Sequence, residues 1–146
     1  MNVSKRAGVA LMSFIFLMTL VSAIPVEAKV PLRWEANVSY TFQPEWTGVI
    51  VGEDGLSGNI IIDVIDWRLV GEVEFGSLIW RIDWDGGGFI EGTLEGRVSQ
   101  VLFSFIYNGQ VTDASEDWAH LIGRNVHVSG SLDLSFWTAQ AIFQIV

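Results

Sequence analysis

The chain has 146 residues, with 17 acidic and 8 basic side chains, a net charge of −9 and no cysteine. Such an acidic surface repels phosphate backbones and anionic lipid, so no nucleic-acid partner is expected. Without cysteine there is no disulfide, no thiolate chemistry and no Cys-based zinc site, and the fold must be held by its core or by association between copies.

The N-terminus reads as an export leader. Lys5 and Arg6 precede an uncharged apolar run over residues 7–24. Val26 and Ala28 then stand at the small-residue positions of a signal-peptidase site, and Pro25 ends the apolar segment before it. Cleavage after Ala23 is the alternative. The expected organisation is a signal peptide over 1–28 and a secreted domain over 29–146. An uncleaved leader would instead hold the chain in a membrane through residues 7–24, a run at the short edge of spanning length. Asn37-Val38-Ser39 fits the N-glycosylation pattern.

Residues 34–42 alternate. Trp34, Ala36, Val38, Tyr40 and Phe42 share one face, and Glu35, Asn37, Ser39 and Thr41 the other, the period of a half-buried strand. Gln43-Pro44-Glu45 breaks the pattern. Residues 48–51 form a short second run, closed by the turn-rich Gly52-Glu53-Asp54-Gly55. Residues 59–75 are long and β-branched. Their apolar phase passes from Ile60, Ile62 and Val64 to Ile65, Trp67, Leu69, Val73 and Phe75, which predicts a bulge or turn near residues 64–66.

Leu78, Trp80, Ile82 and Trp84 alternate next, followed by the turn Asp85-Gly86-Gly87-Gly88. The returning strand aligns Ile90, Gly92, Leu94, Gly96 and Val98. Pairing Trp84 with Ile90, Ile82 with Gly92 and Trp80 with Leu94 sets glycines beside indoles, as a tightly curved wall requires. Val101, Phe103, Phe105 and Tyr107 continue the sheet, and Asn108-Gly109 is the strongest hairpin signal in the chain. Asp113-Ala114-Ser115-Glu116 reads as a capping box that starts a helix of about two turns, with Trp118, Leu121 and Ile122 on one side and Gly123 ending it. Residues 126–136 and 139–146 supply two final strands. The form polar-Gly-polar-aliphatic recurs in Ser57-Gly58-Asn59-Ile60, Glu91-Gly92-Thr93-Leu94 and Ser129-Gly130-Ser131-Leu132, consistent with a repeated hairpin unit.

These elements predict an all-β fold: an antiparallel single-domain barrel of about eight strands with one short helix, a sandwich being the alternative. Closure would also remove the edges that a secreted sheet without disulfides would expose.

Three constellations bear on function. Asp83, Asp85 and Glu91 share the acidic hairpin with Glu95, and the expected register sets Asp83 opposite Glu91. Like charges facing each other are screened by water, bind calcium, or serve as an acid–base pair. Glu116 and His120, one helical turn apart with Asp117 between them, are the residues an acid–base dyad would use. His127 stands alone in a strand. The tryptophans fill a core or line an apolar pocket; Trp80, Trp84, Trp118 and Tyr107 are the candidate ligand contacts, with Trp118 on a helix laid across a barrel mouth. No nucleophile elbow, phosphate loop, dinucleotide fingerprint or zinc-protease motif occurs, and no cofactor is implied.

The leading expectation is a secreted, non-enzymatic barrel that binds a small apolar ligand. A structural, self-assembling exterior protein is the second; Ile61, Ile79, Leu102 and Ile106 lie off the regular apolar faces, and contact between copies would cover them. A cofactor-free isomerase or cyclase using Glu116, Asp117 and His120 is the third.

Overall fold

The computed structural model describes residues 31–43 and 45–146; the expected signal peptide lies outside them. Eight strands follow in order: β1 (Leu32–Tyr40), β2 (Glu45–Gly52), β3 (Ser57–Val70), β4 (Val73–Trp84), β5 (Phe89–Ser99), β6 (Ser104–Ala114), β7 (Asn125–Asp133) and β8 (Thr138–Ile145), with a 3₁₀ helix (Glu116–Leu121) between β6 and β7. Each pairs antiparallel with its neighbours in sequence, and β8 returns to β1 through pairs such as Ala36–Ala141. The sheet is therefore a closed barrel and not a sandwich.

Alternation decides what the barrel contains. Trp34, Ala36, Ile50, Ile60, Trp80, Ile82, Ile90, Leu94, Val126, Phe143 and Ile145 point inward and are almost wholly buried, and no buried residue among those described is polar or charged. Outward positions of the same strands hold Glu35, Asn37, Asn59, Asp63, Arg81, Glu95 and Gln144. The same outer wall also holds the exposed Val49, Val51, Ile61, Ile79 and Ile106.

Indoles fit inside so narrow a barrel because glycines make room for them. Trp80 pairs with Gly92, Tyr107 with Gly96, Phe105 with Gly130, Trp34 with Gly52 and Trp84 with Gly58. A Cβ on Gly92 would lie 2.7 Å from Trp80 and 2.1 Å from the Gln110 carbonyl, and one on Gly130 would lie 2.5 Å from Phe105. Each ring thus lies over bare backbone on the next strand, which covers that backbone and lets the wall bend. Gly58, Gly92 and Gly130 are the glycines of the recurring sequence form, so the repeat marks this one local device.

The register steps from Val64 to Asp66 in β3, as the phase slip predicts. Beyond the bulge the inward phase belongs to Trp67 and Leu69, opposite Gly76 and Glu74. A second shift lies between Glu91 and Gly92, where the β6 partner steps from Asp113 to Val111.

Several expectations are corrected. Asn108 and Gly109 lie within β6, not in a turn. A Cβ on Gly109 would come within 1.8 Å of the Thr93 carbonyl, so this glycine serves close strand approach. The turn instead spans residues 100–103, which puts Val101 and Phe103 outside the strand and in solvent. The β4–β5 hairpin is tighter than expected. It pairs Ile82 with Ile90, Trp80 with Gly92 and Leu78 with Leu94, with Gly87 and Gly88 at φ 99° and 86°. The helix begins after Ser115, not Asp113, and no side chain caps it. Ser115 Oγ accepts the Phe89 N–H at 2.9 Å instead, tying the helix to the start of β5.

Candidate functional site

The two ends of the barrel differ. At the end where the helix lies, Trp34, Trp84 and Trp118 form one cluster: Trp84 and Trp118 stack at 5.3 Å, and Trp34 meets Trp84 edge-on at 5.0 Å. Leu121 is fully buried beneath the helix. The helix does lie across a mouth, as expected of Trp118, but it fills that mouth. Loops at this end carry Glu53, Asp54, Asp85, Glu116 and Asp117.

The opposite end is open and apolar. Here β3 and β4 run past the bulge and carry Trp67 and Leu69 in the inward phase, yet the two are 62% and 50% exposed. Across from them Tyr40, Phe42, Trp46 and Trp137 form an aromatic group with centroids 5.0–5.8 Å apart. Between these groups Trp46, Leu78, Val98 and Leu132 pack on the core and are only partly buried. Glu74 and the Tyr107 hydroxyl are the polar groups toward this end. Burial first, and the Glu74 charge second, push Tyr107 up from its ordinary value of 10 to about 12.

Backbone conformation marks the same end. Phe42, Phe103 and Trp137 adopt φ of 63°, 50° and 53°, and they are the positive-φ residues other than glycine among those described. A bulky side chain in this region costs roughly 1–3 kcal/mol. Three of the four loops at the open end therefore hold an aromatic residue where glycine would be less strained. The β1–β2, β5–β6 and β7–β8 loops keep these rings at the rim despite that cost.

The expected site residues do not form one site. Trp80 lies in the middle of the core against Phe143, centroids 5.8 Å apart, Trp84 and Trp118 lie at the closed end, and Tyr107 lies toward the open one. The buried indole N–H groups of Trp80 and Trp84 find no acceptor among the described residues. Glu116, Asp117 and His120 are exposed. On a 3₁₀ helix, with three residues per turn, positions four apart diverge by about 120°, so Glu116 and His120 do not share a face. His127 is also exposed, and its Nδ1 bonds to the Asn108 Oδ1.

The acidic hairpin is organised by Arg81. Arg81, not Asp83, stands opposite Glu91, and Asp83 faces Phe89. The guanidinium reaches Asp83 at 3.0 Å and Glu91 at 3.3 Å and lies 4.1 Å from the Phe89 ring centroid. Its hydrogen bond to Asp83 is the main reason its pKa rises above the ordinary arginine value. Asp85 instead accepts a 2.7 Å bond from the Ser57 hydroxyl. The calcium reading of Asp83, Asp85 and Glu91 is thereby corrected: a guanidinium occupies the place between two of these carboxylates. Among the described residues no group of three or more His, Asp or Glu side chains is arranged to hold a metal.

Sequence reasoning missed Trp67, Leu69, Trp46 and Trp137 as site residues. Alternation showed which way Trp67 and Leu69 point. It did not show that their strands outrun the ring of the barrel.

Fold and site define the class: a closed eight-stranded antiparallel meander barrel with a plugged acidic end and an open apolar end. No family model, curated protein or solved structure matches the chain.

Proposed function

We propose that this chain is an exported, non-enzymatic β-barrel that takes a small apolar ligand at its open end. The observation that carries the reading is the inward-facing pair Trp67 and Leu69, exposed at the end where apolar residues packed on the core are only partly buried. Apolar side chains held in the inward phase of a barrel, yet left in water, are what an apolar ligand would cover. The strained aromatics at the rim support it, since strain that persists in loops is commonly tied to function. The leader pattern of residues 5–28 supports export. Trp67, Leu69, Trp46 and Tyr107 are the proposed contacts. Trp84 and Trp118 belong to the closed end and are left out of the site.

The test is titration with an environment-sensitive apolar dye, followed by its fluorescence, on the exported chain and on Trp67→Ala. Saturable binding weakened about tenfold in the variant, equivalent to 1.4 kcal/mol, is expected. Equal affinity in the two proteins would remove Trp67 from the site, and no saturable binding by the parent would remove the function.

A further inference from the structure

We infer that the loops of the open end form the surface through which two copies of this chain pair. The inference goes beyond ligand binding and rests on different side chains: those at the loop tips, not those facing inward. Leaving Trp67 and Leu69 aside, 8 of the 19 exposed large hydrophobic side chains among the described residues lie at these loop tips, and each of the four hairpins contributes. Phe42 is 65% exposed, Leu102 75% and Phe136 77%, with Val70 and Val101 beside them. Taking aromatic side chains at about 150–250 Å² each, the exposed apolar area is on the order of 1,000 Å². The largest apolar patch of a typical monomer is about 300–600 Å². A standard interface buries about 800 Å² per partner, so this end is of the size a stable dimer needs.

Charge selects the occupant. The hairpin ends here carry Glu45, Arg68, Glu72, Glu74 and Asp133, a net charge of 1 − 4 = −3, whereas the closed-end loops hold Glu53, Asp54, Asp85, Glu116 and Asp117 against Arg124, a net charge of 1 − 5 = −4. In a chain of net charge −9, two copies meet with least repulsion at the open end. An anionic bilayer finds a single cation there, Arg68, among Glu45, Glu72, Glu74 and Asp133. A two-fold axis through the end would set each patch against its own copy, the commonest arrangement of identical subunits.

The absence of cysteine from the sequence makes the test clean. Sedimentation equilibrium of the exported chain is expected to give a dimer mass, and Leu102→Glu/Phe136→Glu a monomer with unchanged near-ultraviolet circular dichroism. A second readout does not depend on those charges. Ser135→Cys, at the open end, should be joined into covalent dimers by a bis-maleimide cross-linker, whereas Gly86→Cys, at the closed end, should not. A parent that is monomeric at every concentration overturns the inference, as does a double variant that folds and remains dimeric. Cross-linking through Gly86→Cys alone would move the interface elsewhere. A monomer that binds phosphatidylcholine vesicles would assign this end to lipid and likewise overturn it. Because Trp67→Ala leaves the tips intact, loss of dye binding with a retained dimer mass, or the reverse, separates this inference from the ligand reading.

Discussion

Replacing Gly92 with alanine probes the packing device on which the barrel depends. The new Cβ would stand 2.1 Å from the Gln110 carbonyl oxygen and 2.7 Å from Cζ2 of Trp80. The first contact is with backbone and has no rotamer to escape into; the second is with a fully buried indole beside Phe143. The strand pair must therefore separate, or the ring must leave its well, and overpacking of this kind costs about 1–3 kcal/mol. With both contacts too short, about 2–3 kcal/mol is expected, a fall in melting temperature of roughly 10 °C for a domain of this size. Gly86→Ala is the control, because a Cβ there meets nothing within 4 Å and Gly86 is not among the positive-φ glycines. It should shift stability by less than about 0.5 kcal/mol. Urea unfolding followed by tryptophan fluorescence measures both, and the slope against urea should stay constant, so that the midpoint carries the change. Equal midpoints for the two variants would refute the claim that Gly92 exists to accommodate Trp80 and the β6 backbone.

Other outcomes follow from the same geometry. Phe103→Gly should raise stability by about 0.5–1 kcal/mol, since glycine adopts the positive φ of 50° without strain; urea unfolding checks it, and a lower midpoint would show that the ring contributes more than the strain costs. Tyr107 stays neutral in the folded chain up to about pH 12, while the unfolded tyrosine ionises near 10. Its contribution is therefore fully present below pH 10 and is lost as pH rises through 12, about 2–3 kcal/mol in all. Stability measured across that range should fall less steeply in Tyr107→Phe than in the parent. Arg81→Ala leaves Asp83 and Glu91 without their shared cation, but both are solvent-accessible. A loss below about 1 kcal/mol, further reduced by salt, is expected from denaturation at low and high ionic strength.

The sequence was most legible where one rule acts alone. Period-two alternation along residues 34–40, 78–84 and 90–98 showed which side chains turn inward, and the slip near Val64 located the bulge, because each follows from the pleat itself. Gly109 shows the limit. Asn-Gly suits a turn, but glycine also permits close backbone approach, and only the position of the Thr93 carbonyl distinguishes the two. The actual turn, Gln100-Val101-Leu102-Phe103, contains no glycine, proline or asparagine, so its sequence carried no turn signal. The β4–β5 register was two residues out while every residue kept its face, which is why Arg81 and not Asp83 meets Glu91. The site proposed above lies at the other end from the residues first expected to line it, for a related reason. Trp84 and Trp118 have the composition of a pocket wall, but whether an aromatic group plugs a mouth or lines one depends on relative strand lengths, which become visible only once the barrel is closed.

The location of the mouth is tested most directly by the seven tryptophans, through the indole N–H resonances of the ¹⁵N-labelled chain during titration with a small apolar probe. A mouth at the open end predicts that the signals of Trp67, Trp46 and Trp137 move while those of Trp34, Trp84 and Trp118 stay in place. Movement confined to Trp34, Trp84 and Trp118 would put the ligand under the helix and contradict the site proposed here.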